Sequence, residues 1–181
     1  EFAAADMETV YLLGVDNVET LQAISGNTFV IYQGHHGDRG AHRADVILPG
    51  AAYTEKNGLY VNTEGRVQLA ERVVFPKGDA KEDWAILRAL SARVGRTLPY
   101  DTLDQLRAKL MADHPTFGRI DYLPTPAAFD PSKLGVKGDL GDVAFASVVR
   151  DPYLSNPIAR ASATMAELSA QRIAPVAMAA E

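Results

Sequence analysis

Three short apolar runs, Thr9–Val15 (TVYLLGV), Thr28–Gln33 (TFVIYQ) and Ala44–Pro49 (ADVILP), are each closed by Gly, Asp or Asn. Runs of this length, rich in Val, Ile, Leu and aromatics and without polar alternation, predict buried parallel strands. Gly37, Asp38 and Gly40 interrupt the chain between the second and third runs and leave room for one short helix, a compact βαβ arrangement. Strands apolar on both faces need helices on both sides, and few strong helices surround these. The sheet is therefore expected to continue in a segment outside this stretch.

Asn57-Gly58 and Thr63-Glu64-Gly65 are turn signals, which predicts an irregular hairpin pairing Leu59–Asn62 with Arg66–Phe75. Asp79, with Glu82 as its reciprocal partner, is the expected cap of a helix whose apolar stripe is Trp84, Leu87, Ala89, Leu90 and Val94 and whose stop is Gly95. A second helix is predicted over Thr102–Ala112, capped by Asp101, with Leu103, Leu106 and Leu110 on one face. From Pro115 to Gly141 the chain carries Pro124, Pro126, Pro131 and several glycines, which predicts an extended connector lying over a neighbour. Beyond it, Val143–Val149 reads as a strand and Ile158–Gln171 as a helix with Pro157 in its first position.

The organisation expected is 1–8 as a piece of cloning origin or without fixed structure, 9–114 as an α/β segment, 115–141 as the connector, 142–174 as a closing strand and helix, and 175–181 as a frayed end. The absence of an initiator methionine before Glu1-Phe2 points to a fragment.

Composition narrows the function. The 181 residues are 47% hydrophobic and 23% charged, inside the globular range. Acidic residues outnumber Lys and Arg by 23 to 18, which leaves no basic field for a nucleic acid backbone. With no cysteine, the chain has no disulfide, no thiolate zinc site and no thiolate-held iron–sulfur cluster; any such cluster lies elsewhere. No apolar run approaches the roughly 20 residues of a membrane span, so no direct membrane insertion is expected.

The run Gly34-His35-His36-Gly37-Asp38-Arg39-Gly40-Ala41-His42 follows a predicted strand at the end where α/β proteins place ligands. His36, Asp38 and His42 are metal-ligand types, but no HExxH or other ligand register accompanies them, and hydrogen bonding within the turn is the favoured reading. The glycines do not form G-x-G-x-x-G, which argues against NAD. Glu55, Lys56, Glu64 and Arg66 flank turns with no nucleophile beside them and read as solvated or paired charges. Ser162 and Thr164 read as helix-surface residues, and Trp84 as a core anchor.

The run from Gly34 through Ser91 (GHHGDRGAHRADVILPGAAYTEKNGLYVNTEGRVQ and onward), extended through TLPYDTLDQLR, resembles the C-terminal region of the large iron–sulfur subunit family of respiratory complex I, the NADH-quinone oxidoreductase. IARASATM at Ile158–Met165 is similar to that family's closing helix. The family belongs to the molybdopterin oxidoreductase superfamily, whose shared pattern is here Asp45 to Pro49, Glu55 to Gly58 and Asn62 to Gln68. The resemblance implies an α/β fold: a partial, mainly parallel sheet with flanking helices, and an extended C-terminal tail ending in a helix. It implies no cofactor in this segment, [4Fe-4S] and [2Fe-2S] clusters in an absent N-terminal part of the parent subunit, and FMN in a partner subunit. The implied partners are the rest of the large iron–sulfur subunit and other peripheral-arm subunits of complex I. The implied place is peripheral, on the cytoplasmic side of a bacterial inner membrane or the matrix side of a mitochondrial one.

The leading expectation is a structural and interaction segment without catalytic residues. The alternative is the C-terminal portion of an active molybdopterin oxidoreductase, with His35, His36, Asp38, Asn62, Glu64, Gly65, Arg66 and Gln68 at a pterin dinucleotide. A third reading is a free-standing α/β domain holding a metal at the histidines.

Overall fold

The computed structural model describes residues 7–123, 125, 130–135, 137–139, 141–142, 144–145, 147, 149 and 151–173. Three parallel strands, β1 (Thr9–Leu13), β2 (Phe29–Gly34) and β3 (Val46–Pro49), lie in the order β1-β2-β3, joined by the short helices α1 (Val18–Gln22) and α2 (Arg39–Arg43). The helix in the first connection is not expected from the sequence; Asn17 caps it by accepting from the Thr20 N–H at 2.7 Å. Asp45, which opens the ADVILP motif with Ala44, ties the second connection to the sheet. Its Oδ2 accepts from the Val30 N–H at 2.7 Å while its own N–H donates to the Val30 carbonyl at 2.8 Å.

Side chains alternate across a strand, so the two sheet faces can be read from the register. Val10, Leu12, Val30 and Tyr32 point to one face and pack with Ile24 and Ala41 into the core. The other face carries Leu13, Phe29 and Val46, which remain 49%, 45% and 39% exposed. The expectation of strands apolar on both faces holds for the residues themselves, whereas only one face is fully covered.

The hairpin pairs β4 (Gly58–Val61) with β5 (Val67–Ala70), antiparallel and in the register Val61↔Val67. The ladder stops at Ala70, short of the expected Phe75. The Val73 and Val74 N–H groups donate to the Thr54 carbonyl and the Arg72 N–H to Asn57 Oδ1, which draws the strand away from its partner.

Helix α3 (Asp83–Arg93) begins four residues after Asp79, and neither Asp79 nor Glu82 caps it with a side chain. Lys81 instead pairs with the edge of β3: its N–H donates to the Pro49 carbonyl, and its carbonyl accepts from the Ala51 N–H. That pairing holds the chain extended where the cap was expected, and the Glu82 carboxylate accepts from Trp84 Nε1 at 2.9 Å. Val94, expected on the apolar stripe, is 66% exposed as the residue that follows the helix, and Gly95 takes the left-handed φ of +76° of a helix stop. Helix α4 (Leu103–Asp113) is capped by Thr102, not by Asp101, whose carboxylate is held by Arg88 at 2.7 Å.

The expected helix over Ile158–Gln171 is two, α5 (Pro157–Arg160) and α6 (Ala163–Ile173), with Pro157 in first position as predicted and Asn156 as the cap. The expected strand at Val143–Val149 lies partly outside the described residues; Ala144, Phe145, Ser147 and Val149 belong to no strand. In the connector the described residues include short turns at Pro115–Gly118 and Pro131–Lys133, whereas Pro124 and Pro126 lie outside the described residues, as do 1–6 and 174–181. No helix among the described residues is long and apolar enough to cross a membrane.

Candidate functional site

The carboxyl ends of parallel strands are where open α/β sheets hold their ligands. Here that crevice receives a side chain of the same chain. Asp16 follows β1 and Asp38 follows β2, and Arg160 of α5 reaches both. Its Nη2 donates to Asp16 Oδ2, its Nε to Asp38 Oδ2 at 2.5 Å, and its Nη1 to the Leu154 carbonyl at 3.0 Å. The arginine, Asp16 and Asp38 side chains are 15%, 20% and 18% exposed. Burial alone pushes the Asp38 carboxyl up, but the bonds and charge of Arg160, with the backbone N–H of Arg39, hold it below the ordinary carboxylate range. Gly40 makes the close packing possible, since a Cβ there would lie 2.3 Å from the Val15 carbonyl oxygen.

The histidines expected as metal-ligand types are not brought to one point with Asp38. His36 Nδ1 faces His35 Nδ1, the two rings meeting edge to face with centroids 4.7 Å apart. The His42 Nδ1 lies 3.2 Å from the Asp38 carbonyl, away from its carboxylate. Among the described residues no group of three or more His, Cys, Asp or Glu side chains is placed to hold a metal ion. Loss of water from its inner side, with His36 and Lys56 nearby, pushes the His35 imidazole below its usual value, against a smaller opposing pull from Asp83 and Glu55.

Beneath the histidines lies a polar cluster that the sequence does not reveal. Gln33 is fully buried at the end of β2, accepts from the Tyr11 hydroxyl and donates to Asp83 Oδ1 at 2.7 Å. Lys56 Nζ pairs with the other Asp83 oxygen, so the helix α3 start, the 53–55 turn and the sheet share one carboxylate. Burial, reinforced by the Asp83 charge, raises the Tyr11 hydroxyl pKa. A glutamine ending an apolar strand gives no sequence signal of this kind until a partner 50 residues away is known.

The Asn62–Gln68 residues build the hairpin loop. Asn62 Oδ1 accepts from the Glu64 and Arg66 N–H groups, each at 3.0 Å, and Gly65 occupies φ +83°. Arg66 donates to the Asp121 carbonyl at 2.9 Å and lies 3.6 Å from Glu64, while Gln68 is exposed on β5. Glu55 accepts from the Ala52 N–H at 3.0 Å and closes its own turn. Ser162 caps the start of α6 weakly, its Oγ 3.4 Å from the Met165 N–H; Thr164 is exposed on that helix, and Trp84 is half-buried. No hydrogen bond or ion pair among the described residues joins the 62–68 loop to the 35–42 loop. Asn62 Oδ1 is engaged by its own loop and Asp38 Oδ2 by Arg160.

A parallel sheet with flanking helices, followed by a hairpin built on N-x-E-G-R, marks the class. The chain belongs to the molybdopterin oxidoreductase family, which residues 2–93 match. Residues 122–168 match the C-terminal region of the large (G) subunit of NADH-ubiquinone oxidoreductase. Among curated relatives, the chain is 44% identical to the NADH dehydrogenase [ubiquinone] iron-sulfur protein 1, mitochondrial, of Solanum tuberosum, over 89% of this chain and 22% of that protein. It is 42% identical to the NADH-ubiquinone oxidoreductase 78 kDa subunit of Neurospora crassa (95% and 24%) and 41% identical to the 75 kDa subunit of Reclinomonas americana (88% and 23%). The chain thus spans about a quarter of the length of the relatives it matches. A solved structure, acetylene hydratase from Pelobacter acetylenicus, shares the fold with a TM-score of 0.51 at 21% identity, covering 71% of this chain and 20% of that one.

Proposed function

We propose that these residues are a structural and interaction segment of the large iron–sulfur subunit of proton-pumping NADH:quinone oxidoreductase, contributing part of an α/β layer and a clamped C-terminal strap to its peripheral arm. They support electron transfer from NADH to quinone without holding a redox centre. The observation that carries the reading is the Arg160 clamp: at the strand ends where this architecture holds ligands, the protein's own cation pairs with Asp16 and Asp38. The uncovered Leu13, Phe29 and Val46 favour a piece of a larger layer. The lack of cysteine favours clusters held by other parts of the parent subunit.

The test is purification through an affinity tag on the parent subunit in its own cell, followed by native mass spectrometry with iron, flavin and molybdenum analysis. A large assembly with iron and flavin and without molybdenum is the expected result. Stoichiometric molybdenum with a pterin, or a lone chain, overturns it.

A further inference from the structure

The N-x-E-G-R loop does something within the chain that the Arg160 clamp does not account for. Asn62 Oδ1 takes the Glu64 and Arg66 N–H groups, Gly65 turns the backbone at φ +83°, and the Arg66 guanidinium emerges 3.6 Å from Glu64. What it meets is backbone: its Nη1 donates to the Asp121 carbonyl at 2.9 Å, 55 residues along the chain. The Asp121 N–H donates in turn to the Val67 carbonyl at 2.7 Å, and Ile120 forms a parallel bridge with Val67. Residues 120 and 121 thus lie along the hairpin beside β5, with both backbone groups of Asp121 held by it.

Asp121 is also the one residue other than glycine with a positive φ among the described residues, at +59°. It is the third residue of a turn in which the Tyr122 N–H donates to the Arg119 carbonyl at 3.3 Å, a position where a positive φ favours glycine or asparagine. Aspartate visits this region most readily when its side chain bonds locally, and the Asp121 carboxylate makes no hydrogen bond or ion pair among the described residues. A conformation of this kind persists only where the surroundings fix it. Here the fixing groups are Arg66 and the Val67 carbonyl on the backbone, with the Arg119 guanidinium 4.6 Å from the centre of the Tyr122 ring. The stretch 122–168 that matches the C-terminal region of the large subunit begins at the next residue, and Arg160, near its other end, is held by Asp16 and Asp38.

We propose that the N-x-E-G-R loop is a positioning device for the C-terminal stretch: Arg66 holds Asp121 in the left-handed conformation and so pins the start of that stretch to the hairpin, as Arg160 pins its far end to the sheet. This role is independent of whether the chain works in an NADH:quinone oxidoreductase.

Hydrogen exchange on the full-length protein tests the device, with fragmentation that isolates the Asp121 amide, correction for intrinsic rates, and the Tyr60 and Gln68 amides of the β4–β5 ladder as internal reference. In Arg66→Met, which removes one charge-assisted hydrogen bond, the Asp121 amide is expected to exchange roughly fivefold faster. Asp121→Val, whose branched side chain is strained at this φ, raises the rate of the residue 121 amide by roughly tenfold or more, whereas Asp121→Gly, which adopts the conformation freely, leaves it at the wild-type rate or slower. Arg66→Met adds little on top of Asp121→Val, because both open the same turn. The ladder amides keep their rates throughout. An amide indifferent to Arg66→Met, or valine exchanging no faster than glycine, overturns the device. Equal acceleration of the ladder and of residue 121 overturns it too, since Arg66 would then be a general prop of the hairpin. If Asp121→Val does not fold, Arg66→Met and Asp121→Gly decide by the same criteria.

Discussion

Arg160→Gln tests the clamp most directly. The arginine joins α5 to residues 144 and 122 positions earlier in the chain, and all three side chains are about four-fifths buried. Removing one partner of a fully buried ion pair costs about 3–5 kcal/mol, and an exposed pair contributes about 0–1. Two pairs with this residual exposure, partly relieved by water entering the opened crevice, give about 2–3 kcal/mol. If that energy holds the strap down, its local opening becomes roughly 30- to 150-fold more frequent. Hydrogen exchange of the α6 amides reads this, with β1 and β2 as an internal reference. Asp38→Asn alone costs less, about 1 kcal/mol, because Asp16 still holds the guanidinium, and the two aspartate substitutions are non-additive since they share it. The pH dependence has a definite sign. The folded Asp38 carboxyl lies below its unfolded value, so its contribution is complete above the unfolded carboxylate range and is lost as the pH falls through the folded value. Unchanged α6 exchange in Arg160→Gln, or equal acceleration in α6 and the sheet, would refute the strap.

Gln33→Glu should destabilise the chain more than Gln33→Leu: the leucine leaves Asp83 and the Tyr11 hydroxyl short of a partner, about 2 kcal/mol, while the glutamate adds a second buried carboxylate against Asp83. Urea unfolding monitored by Trp84 fluorescence ranks them, and the reverse order would contradict the cluster. Asn62→Ala frees two loop N–H groups and Gly65→Ala forces a side chain into φ +83°, each worth about 1 kcal/mol of loop order; proteolytic nicking between Thr63 and Arg66 should rise about fivefold in either. His35 should titrate below the ordinary histidine value by NMR and move upward in Lys56→Met, which removes a repelling cation and unmasks Asp83. Because its folded pKa is depressed, its contribution to stability is present above the unfolded value and lost as the pH falls through the folded one, and an upward shift on folding would contradict the packing described.

The local parts of the fold were legible wherever the deciding forces are local. β1, β2 and β3 are apolar runs closed by turn residues, the loop after Val61 follows from Thr63-Glu64-Gly65, and Gly95 and Pro157 mark helix boundaries by their own backbone preferences. The misplaced caps share one cause. Asp79 and Asp101 are good capping residues, but Lys81 pairs with the edge of β3 and Arg88 captures Asp101, and tertiary bonds outweigh a cap worth about 1 kcal/mol. Helix α1 was missed because five residues offer too little periodicity to stand out from a turn, although Asn17 was there to cap it.

The site was illegible for a different reason. Asp38 stands out only as a possible ligand in the histidine turn and Asp16 and Arg160 do not stand out at all, because nothing in a linear pattern couples positions more than a hundred residues apart. Their pairing also changes what the histidine loop means. An aspartate after β2 beside three histidines invites a metal or a cofactor; the same aspartate bonded to an arginine from the far end of the chain has its charge neutralised and its oxygen engaged. Carboxylates at the ends of parallel strands are placed where the fold naturally gathers charge and backbone dipoles. The two carboxylates there are compensated by a guanidinium from the far end of the chain, which makes the strand ends a point of attachment for the strap.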